Sequence, residues 1–322
     1  MKRTPLILCI ALAALLETAH AQDKYPSRPI RMILPFAAGG TVDIMARPIA
    51  AKLHEFLGMP VIVDNRGSAG GILAAELTVT AAPDGQTLFF GSSSALFIAP
   101  AYFKKVPYDP LKDFAPISLV AQQPLLIVGS NSLPVRSVKE LISYAKLHPN
   151  KLSYGTVGLG TSNHLTGELL SKAAGIRMEP VAYKSGGAGI TAVIGNEIEL
   201  MITQPNTGLP YVKAGRVRAI ATTGATRSAT YPETETLAEA GFKDLVIIGY
   251  YAILGPKGLP ATIVQRLNTE IRRALASPMV SEALTTQGTE PVTSTPDELM
   301  TLIRKEYDRW QRATKLTGIK EN

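Results

Sequence analysis

The chain has 322 residues, of which 46% are hydrophobic, and a formal net charge of +7. This length fits one large domain or, better, two of ordinary size, with ample apolar residues for a packed core. Lysines and arginines are scattered, without a basic run or adjoining aromatic residues. This distribution argues against a nucleic-acid partner and favours small anionic ligands.

The first residues have the pattern of a secretory signal peptide. Lys2 and Arg3 precede a short apolar run at residues 6–16, and the small residues "AHA" follow at 19–21. The run is too short to span a bilayer, which needs about 20 residues, and no later segment stays apolar for long enough. We therefore expect cleavage after Ala21 and a soluble, exported protein. Its mature chain would lack cysteine, because Cys9 leaves with the signal peptide.

Strand-like and helix-like segments then alternate, which predicts an α/β protein with largely parallel sheets. The first helix is predicted from an apolar face at helical spacing that ends at Gly58. Capping boxes are predicted at Ser137 with Glu140 and at Thr295 with Glu298. The strand candidates are residues 30–35, 61–64, 87–91, 125–129, 152–155, 180–183, 198–203, 217–222 and 246–254.

A glycine turn joins the first strand to the first helix in the segment "LPFAAGGTVDIMAR". Gly39 and Gly40 precede Thr41, which we predict to be the N-cap, and Asp43 lies in the first helical turn. A helix N-terminus has unpaired N–H groups and partial positive charge, and glycines let a ligand approach the backbone. The turn therefore predicts an anion site without a charged side chain. Asp43 either stabilises the helix dipole, or orients the loop or binds a ligand amine.

A second turn of this kind occurs in "SYGTVGLGTSNHLTGELL". Gly158 and Gly160 lead into Thr161 and Ser162 at the start of an apolar helix. The GxxGxG spacing is the reverse of the dinucleotide fingerprint, and no P-loop sequence is present, so no nucleotide cofactor is expected. His164 is interpreted as a structural residue of the helix start, with direct ligand contact as the alternative.

Three further stretches are weaker candidates. The segment "NRGSAGG" at 65–71 either closes an anion turn or only packs tightly. The segment "GSSS" at 91–94 places hydroxyls at the carboxyl end of a strand, where α/β proteins bind their ligands. The segment "YKSGGAG" at 183–189 either lines a cleft or only turns.

No catalytic or metal-binding motif accompanies these turns. The mature chain has the histidines His54, His148 and His164, and it contains no HExxH, GxSxG or DxDxG sequence. Anion-binding turns without an acid, base or metal favour capture over chemistry. We therefore expect a binding protein, not an enzyme, with no cofactor and no metal. A hydrolase of a small ester or amide is the alternative, and its rate would depend on His164.

The order of these segments resembles the Bug family, the periplasmic solute-binding proteins of tripartite tricarboxylate transporters. The segment "YPSRPIRMILPFAAGGTVDIMAR" resembles the opening block of the family, with Ala38 where a proline is usual. The segment "VIVDNRGSAGG" is similar to the next block, with Gly67 in place of a common proline. The blocks that follow in family order are "AAPDGQTL", "YDPLKDFAPISLV", "GTSNHLTGELL", "PVAYKSGGAGITAVIGNEIELMI", "LNTEIRRALASP" and "TEPVTSTPDEL", so the match covers residues 25–320.

The resemblance implies a two-lobed type II periplasmic-binding-protein fold of the Venus-flytrap kind. It would have two mostly parallel sheets and a ligand cleft between the lobes. After a signal peptide at 1–21, residues 22–122 plus 246–322 would form the first lobe, and residues 123–245 the second. The stretches that cross between lobes would act as hinges. A monomer is expected, because a closing cleft needs free lobes.

The resemblance also implies a function in the periplasm. The protein would capture a small organic carboxylate and deliver it to a tripartite tricarboxylate transporter in the membrane. The ligand would be a di- or tricarboxylate, or an aromatic diacid such as terephthalate. Family members grip carboxylates with backbone N–H groups, hydroxyls and ordered waters. The matching positions are Phe36, Gly39, Gly40, Thr41, Asp43, Ser92 and Ser93 on one lobe, Gly160, Thr161, Ser162 and His164 on the other, and Tyr250 as an aromatic wall or a core residue.

One position departs from the family. Gln204 stands about where members often carry an aspartate, and a neutral amide cannot supply the charge that pairs with a ligand amine. We therefore expect a ligand without an ammonium group, with an amino-acid-binding variant as the alternative. Two other functions stay open. The protein could be a ligand-loaded sensor partner of a signalling receptor, or an orphan binding protein with a broad pocket.

Overall fold

The computed structural model describes residues 25–319, which form two β-sheets flanked by helices; the predicted signal peptide lies outside them. The strands of the first sheet are β1 (Ile30–Leu34), β2 (Val61–Asn65), β3 (Thr87–Ser92), β4 (Phe114–Pro124), β10 (Ile248–Pro256) and β11 (Glu290–Pro291). Those of the second sheet are β5 (Leu126–Gly129), β6 (Ser153–Thr156), β7 (Glu179–Ala182), β8 (Leu200–Thr203) and β9 (Arg218–Thr222). The strands lie in the order β11-β4-β10-β3-β1-β2 in the first sheet and β7-β6-β8-β5-β9 in the second.

Helices cover both sheets and connect the strands. None of those within residues 25–319 combines the length and hydropathy needed to cross a bilayer. A π-helical turn at Ser94–Ile98 leads directly into α3, and single 3₁₀ turns lie at Ala69–Gly71 and Lys243–Leu245. The α-helices are α1 (Thr41–Leu57), α2 (Ile72–Val79), α3 (Ala99–Tyr102), α4 (Val138–Leu147), α5 (Ser162–Ala174), α6 (Gly186–Ile194), α7 (Pro205–Lys213), α8 (Ala261–Ala276), α9 (Pro278–Thr285) and α10 (Pro296–Thr317).

Both sheets are mixed, whereas the sequence predicted mostly parallel ones. β1 pairs in parallel with β2 and β3, and β6 with β7 and β8, but β5 and β10 run antiparallel to both neighbours. Both β5 and β10 are the first strands after the chain passes from one sheet to the other. β4 runs in the direction of β3 and is separated from β5 only by Leu125. A chain that continues straight across the cleft enters the next sheet from its cleft edge, so its first strand there is antiparallel.

The lobe boundaries remain a prediction. The first passage between the sheets lies at Leu125, and the second lies between Lys243–Leu245 and β10. We propose that the lobes divide close to these passages, as residues 22–122 plus 246–322 and residues 123–245; β4 continues to Pro124, just past the first of these boundaries. Both passages would then serve as hinges, because each changes sheet within a few residues.

The predicted strands omit β4 and β11. β4 contains Pro116, and a proline inside a run argues against a strand because it cannot donate to the ladder. β11 pairs only with Ala121 and Gln122, so Pro116 removes no hydrogen bond to β11. β11 has only two residues, too few for a periodic signal.

Helix ends follow their local sequence signals in most cases. Gly58 adopts the left-handed conformation and ends α1, as predicted. Thr295 and Glu298 form the predicted capping box of α10. At α4 only half of the predicted box forms: Ser137 accepts from the Glu140 N–H, but the Glu140 carboxylate accepts from the Arg136 N–H at 2.6 Å.

A fully buried tyrosine anchors α5 on the second sheet. The hydroxyl of Tyr154, on β6, donates to the Glu168 carboxylate at 2.8 Å and lies 3.0 Å from the His164 carbonyl oxygen. Its ring passes so close to α5 that a Cβ at Gly167 would lie 2.3 Å from the ring carbons. Gly167 therefore sets how closely α5 approaches β6.

This packing leads to a first prediction. Gly167→Ala should lower the free energy of unfolding by about 3 kcal/mol, because neither the buried ring nor the helix can move freely. The matched control is Gly187→Ala in α6, where an added Cβ meets nothing within 4 Å. That variant should be neutral or stabilised by up to about 1 kcal/mol, because alanine favours helix. Urea unfolding measures both, and equal effects of the two variants would contradict the prediction.

Candidate ligand-binding site

A cavity lies between the two sheets, at the carboxyl ends of the parallel strands. Residues at or after the ends of β1, β3, β6, β7 and β8 form its wall, as expected for α/β proteins. The reversed strand β10 contributes its amino-terminal part, because an antiparallel strand begins at the edge where its neighbours end. The lining residues are Phe36, Ala37, Gly40, Thr41, Val42, Ser92, Ser93, Ser94, Val157, Ser162, Asn163, Lys184, Ser185, Gly186, Gln204, Gly249 and Tyr251.

The N-termini of α1, α5, α6 and α7 converge on this cavity. Gly40, Ser185 and Gln204 are the N-caps of α1, α6 and α7, and Ser162 is the first residue of α5. The first N–H groups of each helix have no intrahelical acceptor, and each N-terminus carries partial positive charge. The cavity is therefore built to hold an anion by main-chain groups.

The sequence predicted two of these four helix starts. Of the two readings of "YKSGGAG", the structure supports a cleft wall, since Ser185 and Gly186 line the cavity. The start of α7 was missed. The available signal was Pro205 directly after Gln204, because proline is favoured at the first helical position.

The two lobes touch each other at the cavity. The Thr41 hydroxyl lies 2.8 Å from the Thr207 hydroxyl and donates to the Gln204 side-chain oxygen at 3.3 Å. Elsewhere the Ser162 N–H donates to the Ser94 hydroxyl at 3.3 Å. The cavity is small, with a volume of about 30 Å³, enough for only a few water molecules. A larger ligand can enter only if the lobes separate.

Thr41 is not the N-cap of α1, which corrects the prediction. Gly40 has the extended backbone of an N-cap, with φ −83° and ψ 174°, and Thr41 is already helical. The Thr41 side chain instead reaches the other lobe, and its carbonyl oxygen accepts from the Asn206 amide at 3.3 Å. Its place at the tip of the helix next to the second lobe decides this role.

Asp43 lies behind the glycine turn and does not line the cavity. Its carboxylate accepts from the Gly39 N–H at 2.9 Å and from the Arg47 guanidinium at 2.8 and 2.9 Å. Burial alone would raise the pKa of Asp43, but the hydrogen bonds from Arg47 and Gly39 outweigh it and hold the pKa below its usual value. The geometry supports loop orientation among the roles considered for Asp43. Gly39 itself adopts φ +75° and stays outside the cavity wall.

The segment "NRGSAGG" packs tightly against the first turn. The Asn65 amide donates to the Phe36 carbonyl oxygen at 3.0 Å, and Gly67 leaves room for Ala37. A Cβ at Gly71 would lie 2.7 Å from Pro35. The structure therefore supports the packing interpretation, and this segment positions Phe36 and Ala37, which do line the cavity.

The serines after β3 have three different environments. Ser93 accepts from the Tyr250 N–H at 2.7 Å, and Ser94 accepts from the Ser162 N–H of the other lobe. The hydroxyl of Ser92 is buried and has no hydrogen-bond partner among the described residues, although Ser92 lines the cavity. A buried hydroxyl without a partner is costly, so it is available for a ligand or a water molecule.

The tyrosine that lines the cavity is Tyr251, one position beyond the predicted Tyr250. Side chains alternate across a strand, so Tyr250 faces the opposite way and packs edge-on against Phe97. The Gln123 amide donates to the Tyr251 hydroxyl at 3.1 Å, and burial raises the pKa of Tyr251 to about 12. The phenol therefore stays protonated and can donate a hydrogen bond.

His164 is buried beside the cavity without lining it. Its ring packs edge-on against Tyr102, and Nδ1 accepts from the Gly160 N–H at 3.4 Å. Thr161 caps α5, accepting from the His164 N–H and donating to the Gly158 carbonyl oxygen. These residues shape the second glycine turn, while Ser162 alone of the predicted group Gly160, Thr161, Ser162 and His164 reaches the cavity wall.

The cavity wall is almost free of charge. Lys184 is the one charged residue among those that line it, and no aspartate or glutamate does so. At the place where the family often has an acid, the Gln204 amide donates to the Asn163 side-chain oxygen at 3.4 Å. Within residues 25–319, no group of three or more histidine, cysteine or acidic side chains is placed to hold a metal ion.

Fold and site together define the class of a two-lobed periplasmic binding protein, with a cleft lined by helix N-termini. The profile of the family described as tripartite tricarboxylate transporter family receptor matches residues 45–319. The chain is 36% identical over 312 residues to protein BugT of Bordetella pertussis, which covers 97% of this chain and 95% of the relative. It therefore belongs to the tripartite tricarboxylate transporter receptor family, which confirms the resemblance to the Bug proteins.

Solved structures agree with this assignment. The periplasmic binding protein BugD is similar with a TM-score of 0.88 at 30% identity, covering 92% of this chain and 100% of BugD. Rpa4515 of R. palustris, solved with adipate, has a TM-score of 0.87 at 32% identity. The match covers 91% of this chain and 98% of Rpa4515. MatC of Rhodopseudomonas palustris, with bound malate, has a TM-score of 0.85 at 30% identity. The match covers 89% of this chain and 99% of MatC.

The burial of His164 predicts a pH dependence of stability. Burial lowers the pKa of His164 from 6.5 to about 4 in the folded protein, whereas the unfolded chain takes up the proton near pH 6.5. The unfolded state then binds more protons, so the free energy of unfolding should fall as the pH drops from about 6.5 to about 4. His164→Asn keeps an acceptor near Nδ1 but cannot be protonated, and should lose less stability in this window.

Urea unfolding at neutral pH and near pH 4.5 measures the difference. The matched control is His148→Asn, which replaces an exposed histidine and should leave the pH dependence close to that of the unsubstituted protein. If the free energy of unfolding falls equally between these pH values in the unsubstituted protein and in His164→Asn, His164 is not the cause of the pH dependence.

Proposed function

We propose that the protein captures a small organic di- or tricarboxylate, aromatic diacids included, in the periplasm and delivers it to a tripartite tricarboxylate transporter. The observation that carries this proposal is the convergence of four helix N-termini on a cavity whose wall contains no acidic residue. Such a wall attracts anions through main-chain N–H groups and helix dipoles. The signal peptide predicted from the sequence at residues 1–21 supports a periplasmic location.

The comparisons support the chemical class of the ligand. Adipate and malate, which accompany the Rpa4515 and MatC structures, are both small linear dicarboxylates. Those proteins share the fold at TM-scores of 0.87 and 0.85 and cover about nine tenths of this chain. Hydroxyls that can contact such a ligand are present at the cavity wall in Thr41, Ser92 and Tyr251.

The neutral wall favours a ligand without an ammonium group. An amine in this cavity would meet Gln204 and Asn163, which offer amide oxygens but no compensating negative charge. The carboxylate of Asp43 is already bound by Gly39 and Arg47. We therefore propose a dicarboxylate or tricarboxylate in preference to an amino acid.

Capture would work by opening and closing of the lobes. With Thr41 in contact with Thr207 and Gln204, the cavity is too narrow for a dicarboxylate to enter. Rotation at the two passages between the sheets would open it. A bound dicarboxylate would then hold the lobes together, since both lobes present helix N-termini to it. A monomer suffices for this cycle.

The direct test is thermal unfolding of protein that has been freed of ligand by unfolding and refolding. A panel of linear dicarboxylates, citrate, terephthalate, aspartate and glutamate is added in turn. A ligand at about 100 times its dissociation constant should stabilise the native state by about 2.7 kcal/mol. We expect the midpoint to rise with at least one di- or tricarboxylate and to stay constant with the amino acids.

Other outcomes of this panel are informative. Tight binding of aspartate or glutamate without dicarboxylate binding would refute the ligand class. No shift with any acid, while a matched solute-binding protein responds to its own ligand, would refute carboxylate capture itself.

A substitution at Gln204 tests the electrostatic argument. Gln204→Glu places a negative charge in the wall of an anion site, so we expect the affinity for the best dicarboxylate to fall by at least about tenfold at neutral pH. Gln204→Met removes the same hydrogen bonds without adding charge and should cause a smaller loss. Calorimetric titration measures both. Unchanged dicarboxylate affinity in Gln204→Glu would show that this position does not face the ligand.

A further inference from the structure

Lys184 is the one charged side chain in the cavity wall, and it was not among the predicted site residues. It lies between the end of β7 and Ser185, the N-cap of α6, and its side chain is exposed. None of the ion pairs between described residues involves Lys184. Its ammonium group is therefore available to a ligand.

The N-terminus of α6 supplies hydrogen-bond donors at the same place. The Ser185 hydroxyl accepts from the Ala188 N–H at 3.2 Å, and the Ser185 carbonyl oxygen accepts from the Gly189 N–H. The N–H groups of Gly186 and Gly187 precede these bonds and have no intrahelical acceptor. Gly186 lines the cavity, so its main chain is open to a ligand.

A buried hydroxyl next to this helix start also lacks a partner. Thr203, at the end of β8, is fully buried, and its hydroxyl forms no hydrogen bond with any described residue. It faces the start of α6 closely, since a Cβ at Gly186 would lie 2.9 Å from it. An unpartnered buried hydroxyl beside free N–H groups is unfavourable unless another polar group binds there.

The start of α6 lies next to the contact between the lobes. Gly186 packs against Thr207, with the Thr207 methyl 2.9 Å from where a Cβ would lie, and the Thr207 hydroxyl contacts Thr41 of α1. The start of α5 belongs to a different contact, between Ser162 and Ser94. The cavity thus has two groups of anion-binding elements, and only the group at α6 includes a full positive charge.

We propose that Lys184 and the N-terminus of α6 form the subsite for one carboxylate of a dicarboxylate ligand, with the start of α5 left for the other. Lys184 then determines the preference for dianions over monoanions. This inference rests on the proposed carboxylate-binding function and adds the group that pairs with the second carboxylate of the ligand.

The test compares diacids with monoacids of equal length by calorimetric titration. The probes are the tightest-binding linear dicarboxylate of four to eight carbons and the monocarboxylate with the same number of carbons. Lys184→Met should weaken the affinity for the diacid by at least about tenfold and change the affinity for the monoacid by less than about twofold. Lys184→Arg, which keeps the charge, should stay within about threefold of the unsubstituted protein for the diacid.

The control for net charge is Lys213→Met. Lys213 is an exposed lysine at the far end of α7 from the cavity, and its replacement should change the affinity for either acid by less than about twofold. Raising the salt concentration should weaken diacid binding more in the unsubstituted protein than in Lys184→Met, because the charge pair is screened. Circular dichroism checks folding, and Lys184→Gln repeats the test with a polar side chain.

The outcomes separate this inference from the function on which it rests. If Lys184→Met and Lys184→Gln bind the dicarboxylate as tightly as the unsubstituted protein does, the proposed subsite is wrong. The proposal of carboxylate capture would still stand in that case. Equal losses for diacid and monoacid in Lys184→Met would also overturn it, since the lysine would then not distinguish the two charges. Failure of the unsubstituted protein to bind any carboxylate would refute the proposed function itself.

Discussion

The structure depends on one constraint, the need of buried main-chain N–H groups for acceptors. Four helices begin at the cavity, and each leaves its first N–H groups without an intrahelical partner. The side chains of the cavity wall include no carboxylate that would satisfy them. The hydroxyls of Ser94, Thr161 and Ser185 accept from some of these N–H groups, and the others are open to water or to an anion.

The charged side chains around the cavity are placed so that none of them cancels the partial positive charge of the helix N-termini. Asp43 orders the glycine turn through the Gly39 N–H, but its carboxylate lies behind the loop and is neutralised by Arg47. A negative group thus orders the turn without facing the cavity. Gln204 keeps the wall neutral, and Lys184 adds the single positive charge among the lining residues. This distribution of charge is the basis of the ligand class proposed above.

Topology explains why the site belongs to both lobes. The parallel strands end at the cleft, so the helices that follow them begin there. The chain crosses the cleft twice, and each crossing delivers a reversed strand, β5 or β10, whose amino end is at the same edge. β10 thereby places Tyr251 at the cavity and Tyr250 in the packing behind it. Opening at the two crossings would change the contacts of Thr41 without disturbing either sheet.

The sequence by itself determined the local features: the alternation of strands and helices, most strand positions, the cap at Gly58 and the first two glycine turns. Each of these depends on residues close together in the chain. Only the tertiary structure decided that β5 and β10 are reversed, that Tyr251 rather than Tyr250 reaches the cavity, and that His164 is buried beside it. Thr41 illustrates the physical reason: its sequence neighbours suit an N-cap, but its hydroxyl binds Thr207, 166 residues away in the other lobe. A contact of that range leaves no local pattern, because both partners are ordinary helix-start residues until the two lobes are brought together.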